Sequence, residues 1–140
     1  MLRLTLVAIF ILSLVQGLIL QGDSYYKKII HNTDPEARCL DGSPALIYVH
    51  EGGLKDHILL FFMGGGICSE TTMDKSLESC YQRSKDFLGS SNPWPDYLPT
   101  DIPELTSGYL SADPNKNGFA NWTKLFIPYC DGNLHHGNRI

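Results

Sequence analysis

The stretch LLFFMGGGICSE, residues 59–70, decides how the rest of this chain is read. Five strongly apolar residues, Leu59 to Met63, run straight into Gly64, Gly65 and Gly66, and Cys68 follows closely. A short unbroken apolar run bounded by turn residues is the pattern of a strand buried on both faces, so residues 57–63 are expected in the middle of a covered sheet. Downstream, residues 71–88 place Met73, Leu77, Cys80, Ser84, Phe87 and Leu88 mostly three and four positions apart. That spacing predicts an amphipathic helix, with Thr71 and Asp74 as a capping pair.

Strand, glycines, helix is an order that leaves backbone N–H groups free beside a helix N-terminus. Glycines have no Cβ, so a ligand oxygen can approach their amides closely. Phosphate cradling and oxyanion stabilisation both use such a loop. A phosphate loop needs G-x-x-x-x-G-K-[ST] and a dinucleotide loop G-x-G-x-x-G, and GGGICSETT satisfies neither. In α/β-hydrolases a Gly-rich segment after a strand donates N–H groups to the tetrahedral oxyanion. The plain alternative is a tight strand-to-helix turn that binds nothing.

Working outward, Asp41-Gly42-Ser43-Pro44 forms a turn before a strand at 45–50, EGGLKD (51–56) a second turn, and KLFIPYC (124–130) a third strand closed by DGN. Residues 89–121 are rich in Pro, Ser, Asp, Asn and Gly and read mostly as loop. The class is α/β. The 140 residues suffice for one modest domain, and 43% hydrophobic content with a net charge of −4 is globular and offers no general attraction for nucleic acid.

The N-terminus reads as a secretory leader, with Arg3 before the apolar run LTLVAIFILSLV (4–15) and small-residue cleavage after Gly17 or Gly22. Its rival, an uncleaved anchor, has a run marginal for a bilayer that requires about 20 apolar residues. Residues 1–22 are therefore expected to be removed, leaving no stable membrane insertion. In an oxidising compartment Cys39, Cys68, Cys80 and Cys130 suggest two disulfides, with three pairings open. No C-x-x-C spacing suggests zinc or a redox pair. The sequon NWT makes Asn121 a glycosylation candidate.

CLDGSPALIYV, FFMGGGICSE, SCYQRSKDFLGSS and SGYLSADPNKNGFANWTKLFIPYCDG follow, in order, the pattern of secreted carboxylesterases of the pectin acetylesterase/Notum family. The resemblance runs from about Cys39 to Gly132. It implies an α/β-hydrolase fold and ester hydrolysis by a Ser-His-Asp triad, with oxyanion-hole amides at Gly65 and Gly66 and Gly64 shaping the turn. It also implies pairing of Cys39 with Cys130 and of Cys68 with Cys80. The helix independently suits the second pair, since Cys80 lies on its apolar face within a few turns of the loop bearing Cys68. Met63 departs from the acidic residue usual before the glycines, Ile67 from a common Trp, and the interval from Cys68 to Cys80 is long. No G-x-S-x-G nucleophile elbow occurs in these residues; the nearest, GSSNP at Gly89, has Pro in the fifth place. Residues 23–140 are thus expected to form the N-terminal part of a hydrolase domain, ending before the nucleophile.

Other side chains offer weaker chemistry. His135 and His136 are adjacent, so on an extended segment they point opposite ways and suit a solvated terminal loop better than a metal. His50 and His57 read as strand-edge residues, and Glu70 and Glu78 as solvated surface. Trp94, Tyr97 and Tyr109 would pin the long loop to the core, or else stack on sugar rings. The sequence therefore predicts the oxyanion-loop portion of a secreted, monomeric esterase without metal or cofactor, acting when complete on an acylated polysaccharide or acylated protein. The alternative is a non-catalytic, disulfide-bonded secreted binding module.

Overall fold

A computed structural model describes residues 25–30, 34–100, 102 and 107–136. The expected leader, 1–22, lies outside them. Five strands make one mixed sheet: β1 (Tyr25–Ile30), β2 (Leu46–His50), β3 (Leu54–Phe62), β4 (Tyr97–Pro99) and β5 (Trp122–Ile127), in the order β3-β5-β2-β1-β4. The pair β3–β5 is parallel and the other three pairings are antiparallel. One helix, α1 (Met73–Arg83), follows β3, and a 3-10 turn occupies Gly108–Leu110. The mixed sheet with its helix is compatible with part of an α/β fold.

Alternation along the strands explains the core. On β2, Leu46, Tyr48 and His50 face inward while Ile47 and Val49 face the other side. The registers bring Lys28, Tyr48, Phe126 and Phe61 into one row across four strands. Over this face the segment after α1 folds back, seating Trp94 and Leu110 against Tyr26, Tyr48 and Phe126. Trp94 Nε1 donates to Phe87 O at 3.0 Å, which fixes the ring as it packs. Trp94 does pin the loop, whereas Tyr97 and Tyr109 are exposed.

The opposite face is open. Ile58, Leu60 and Phe62 alternate outward on β3 and are each 58% exposed, and β3 is an edge of the sheet among the described residues. This corrects the expectation of a covered central strand. An apolar run says that both faces avoid water, but not which neighbours the chain supplies.

The helix is shorter than 71–88 and is capped one residue later, with Thr72 Oγ1 accepting from Lys75 N at 3.4 Å. None of its residues is buried, and its apolar stripe Met73, Leu77 and Tyr81 faces solvent. Two elements went unforeseen. β1 joins β2 and β4 in antiparallel register, and β4 is three residues of the presumed loop. His50 is buried against the Tyr26 ring at 5.2 Å, not an exposed strand-edge residue.

His50 lies opposite Lys124, which is fully buried with no carboxylate partner among the described residues. Lys124 Nζ donates to Ala120 O at 2.7 Å and Trp122 O at 3.4 Å. Burial pushes its amine down to about 8, because the charged form loses water. The same cause pushes the Tyr26 and Tyr48 hydroxyls upward, with the Asp96 carboxylate adding to the effect on Tyr48.

Candidate active site

Because β3 and β5 are adjacent and parallel, the segments leaving their C-terminal ends emerge side by side. In open α/β sheets ligands bind outside those carboxyl ends. Here they are the glycine loop after β3 and the segment Pro128 to His135 after β5.

Two disulfides fix this end. Cys39–Cys130 ties the segment after β5 to the turn before β2, and Cys68–Cys80 ties the glycine loop to the middle of α1. Cys68 N also donates to Gly132 O at 3.3 Å, joining the two segments directly.

The loop is packed from beneath by Tyr129, whose side chain is fully buried. A Cβ on Gly65 would stand 2.0 Å from Tyr129 Cδ1, so only glycine fits there. Gly66 has φ +71°, in the left-handed region that favours glycine. Its carbonyl accepts from the Tyr129 hydroxyl. Arg83, in the last turn of α1, reaches back so that Nη1 donates to both Gly65 O and Gly66 O, the latter at 3.1 Å. His135 Nε2 stands 2.9 Å from Met63 O, donating in the tautomer that a carbonyl requires. Its ring meets Phe62 and Tyr129 edge-on. His135 therefore belongs to the glycine loop, which corrects its assignment to a solvated tail; His136 is exposed.

The carbonyls of Met63, Gly65 and Gly66 are thus engaged, while the amides of Gly64, Gly65 and Gly66 have no acceptor among the described residues. Gly64, Gly66 and Ile67 are exposed and Gly65 is half-buried. Such free amides can donate to an anionic oxygen. A carboxylate, a phosphate or a tetrahedral intermediate would all meet that description.

Arg83 and Tyr129 were not singled out from sequence, where a cation in a helix's last turn needs no further role. Among the described residues no three His, Cys, Asp or Glu side chains converge as a metal site requires. Glu70 and Glu78 are exposed.

A sequence model of the family described as pectinacetylesterase matches residues 21–140. The chain belongs to the pectinacetylesterase family. Pectin acetylesterase 4 of Arabidopsis thaliana is 37% identical over 105 residues, covering 73% of the chain and 23% of that relative. The palmitoleoyl-protein carboxylesterase Notum of Homo sapiens is 32% identical over 100 residues, 71% of the chain and 18% of that relative. A Danio rerio relative named as an inactive palmitoleoyl-protein carboxylesterase is 34% identical over 102 residues, 71% of the chain and 66% of that relative. The chain spans less than a quarter of the length of the first two. Within the family, carboxylic-ester hydrolysis is the activity that these names print, and no helix among the described residues is long and apolar enough to cross a membrane.

Proposed function

We propose that this chain supplies the oxyanion-hole portion of a secreted carboxylic-ester hydrolase, in which Gly65 and Gly66 amides receive the negative charge of the tetrahedral intermediate and Gly64 shapes the turn. The observation that carries it is the polarity of the loop: the Met63, Gly65 and Gly66 carbonyls are taken by His135, Arg83 and Tyr129, and the Gly64, Gly65 and Gly66 amides have no acceptor among the described residues. Donors of this kind gain strength where charge develops, and losing one typically costs about 10²–10³ in rate. A serine elbow and its His and Asp partners would be provided by sequence other than these 140 residues, which hold no G-x-S-x-G. The leader-like residues 4–15, the two disulfides and the exposed sequon at Asn121 support secretion. An acylated polysaccharide or an acylated protein is the substrate class, by analogy with the names of the relatives.

The test is a chimera in which residues 34–136 replace the matching segment of a full-length pectin acetylesterase. It should hydrolyse nitrophenyl acetate and lose kcat on G65A, whose added Cβ would meet Tyr129 and displace the Gly65 and Gly66 amides. A chimera that folds with the parent enzyme's triad intact and fails to hydrolyse nitrophenyl acetate removes the oxyanion assignment.

A second possibility, a non-catalytic binding module, is favoured by one specific observation. The Danio rerio relative, of which the chain covers 66%, is named as inactive. On either account the isolated chain should not hydrolyse nitrophenyl acetate. Hydrolysis abolished by a serine-directed phosphonate would contradict both.

A further inference from the structure

We propose that the ring of Phe119 is the docking surface for the first sugar of a glycan on Asn121, so that the modification braces the turn leading into β5; this rests on the secretion and glycosylation proposed above and is independent of the oxyanion assignment. The stretch Phe119-Ala120-Asn121-Trp122-Thr123 puts an aromatic residue two positions before the acceptor and the sequon's threonine two positions after it. In a strand, positions two apart lie roughly 6.5–7 Å from each other along the chain. Here Trp122 N donates to Phe119 O at 3.0 Å and closes a turn with Phe119 first and Asn121 third, which draws the two closer. Asn121 is exposed and Phe119 half-buried.

Both sides of the contact are fixed before any sugar arrives. The Phe119 ring meets Trp122 edge-on at 4.9 Å and Tyr109 at 6.1 Å. Asn121 O accepts from Leu54 N at 2.9 Å, and a Cβ on Gly52 would stand 2.3 Å from the same oxygen, so the chain entering β3 lies directly against the acceptor's backbone. Thr123 Oγ1 accepts from Gly52 N at 3.3 Å and ties the same two segments again. Groups held in this way lose little entropy on contact. Attachment forms a bond from Asn121 Nδ2 to the anomeric carbon of an oligosaccharide, breaks that carbon's bond to a lipid-linked diphosphate, and leaves one amide proton with the departing diphosphate. A β-linked N-acetylglucosamine then carries its ring substituents equatorially, and its axial C–H bonds form an apolar face with partial positive charge. The face of an aromatic ring carries the complementary negative charge. Tethering makes the contact intramolecular, so even a weak one is populated.

The test uses the full chain, secreted with both disulfides and trimmed enzymatically to one N-acetylglucosamine. In the wild type the axial ring protons of that sugar should move upfield on folding and show cross-relaxation with the Phe119 ring. In urea melts the sugar should raise the folding constant roughly two- to tenfold over N121Q, the scale of one aromatic contact. F119L should lose that gain and F119Y keep it. The gain is compared within each background, so any cost of F119L to the fold cancels. An equal gain in F119L, or a sugar on folded wild type whose protons do not move, overturns the docking and leaves the glycosylation standing. A secreted chain with no sugar at Asn121 overturns both.

Discussion

Placing alanine at each glycine of the loop in turn should separate three physical constraints. At Gly65 the added Cβ would lie 2.0 Å from Tyr129 Cδ1 and 2.5 Å from Cε1, where carbon atoms prefer about 3.5–4.0 Å. Tyr129 has little freedom to yield. It is fully buried, its hydroxyl is bonded to Gly66 O, and it accepts from Leu134 N at 3.3 Å. The next residue is tied to Cys39. The loop must therefore move by roughly 1.5 Å, the difference between the contact found and the contact allowed. That displacement pulls Gly65 O and Gly66 O away from Arg83. Overpacking alone costs about 1–3 kcal/mol, and the lost bonds add to it.

At Gly66 nothing lies within 4 Å, but φ is +71°, so alanine there meets only the left-handed backbone penalty of about 1–2 kcal/mol. Gly64 has neither constraint, and alanine there should change stability by less than about 1 kcal/mol and can gain through the unfolded state. Each kcal/mol moves Tm by about 4–8 °C in domains of 60–100 residues and by about 2–4 °C at 150–250, the two ranges that bracket this chain. G65A should thus fall by about 10 °C or more, G66A by about half of that, and G64A hardly at all. Trp94 and Trp122 fluorescence in a thermal or urea melt reads the transition. If G65A melts with G64A, the packing of Tyr129 under the loop is wrong, and the hold of Arg83 and Tyr129 on the loop carbonyls falls too.

Three other outcomes follow from different parts of the molecule. Between pH 8 and 10.5 the unfolded chain holds a proton at Lys124 that the native chain has released, so stability should rise with pH by up to about 3 kcal/mol and then decline above pH 10 as unfolding frees Tyr26 and Tyr48 to ionise. In urea melts K124M should lose that rise and be the more stable protein at pH 7; a K124M that still climbs between 8 and 10.5 places its cause elsewhere. Replacing Cys39 and Cys130 by Ser frees a 91-residue separation and should cost about 4–5 kcal/mol, against about 3 for the 12-residue Cys68–Cys80 separation, so a reversed order of urea midpoints would point to the native state and not to chain entropy. Expressed through a secretory pathway, the protein should lose mass on endoglycosidase treatment, and N121Q should abolish that loss; an unaltered digest in the variant relocates the glycan.

The strands β2, β3 and β5 were legible because each is an apolar run between turn residues, and so was the helix, from the three-and-four spacing of its stripe. What could not be read was which surfaces meet. Ile58, Leu60 and Phe62 give the same letters whether β3 lies central or at an edge, because side-chain polarity records avoidance of water and not the identity of the neighbour. β1 was hidden by Lys27 and Lys28. The second of these stays in the structure because its ammonium reaches Trp94 O at 2.7 Å, a contact 66 residues away. The same holds at the site. The glycines announced themselves, but His135 acts on Met63 across 72 positions and Arg83 acts on Gly65 across 18. Neither contact belongs to a period or a motif.

The open face of the sheet and the glycine loop share β3, yet they are held by separate forces. Ile58, Leu60 and Phe62 project into water on the outer side of the sheet. The contacts that shape the loop come instead from Arg83, Tyr129, His135 and the Cys68–Cys80 bond, all gathered at the carboxyl ends of β3 and β5. One of those contacts touches the outer face, where the His135 ring meets Phe62 edge-on. Covering that face would add hydrophobic stability in proportion to the area removed from water, but it would leave the rotation of the Gly65–Gly66 and Gly66–Ile67 peptides where Arg83 and Tyr129 set it. Loop geometry and sheet completion therefore meet only where His135 packs on Phe62, and the contacts of Arg83 and Tyr129 are open to measurement whatever covers the sheet.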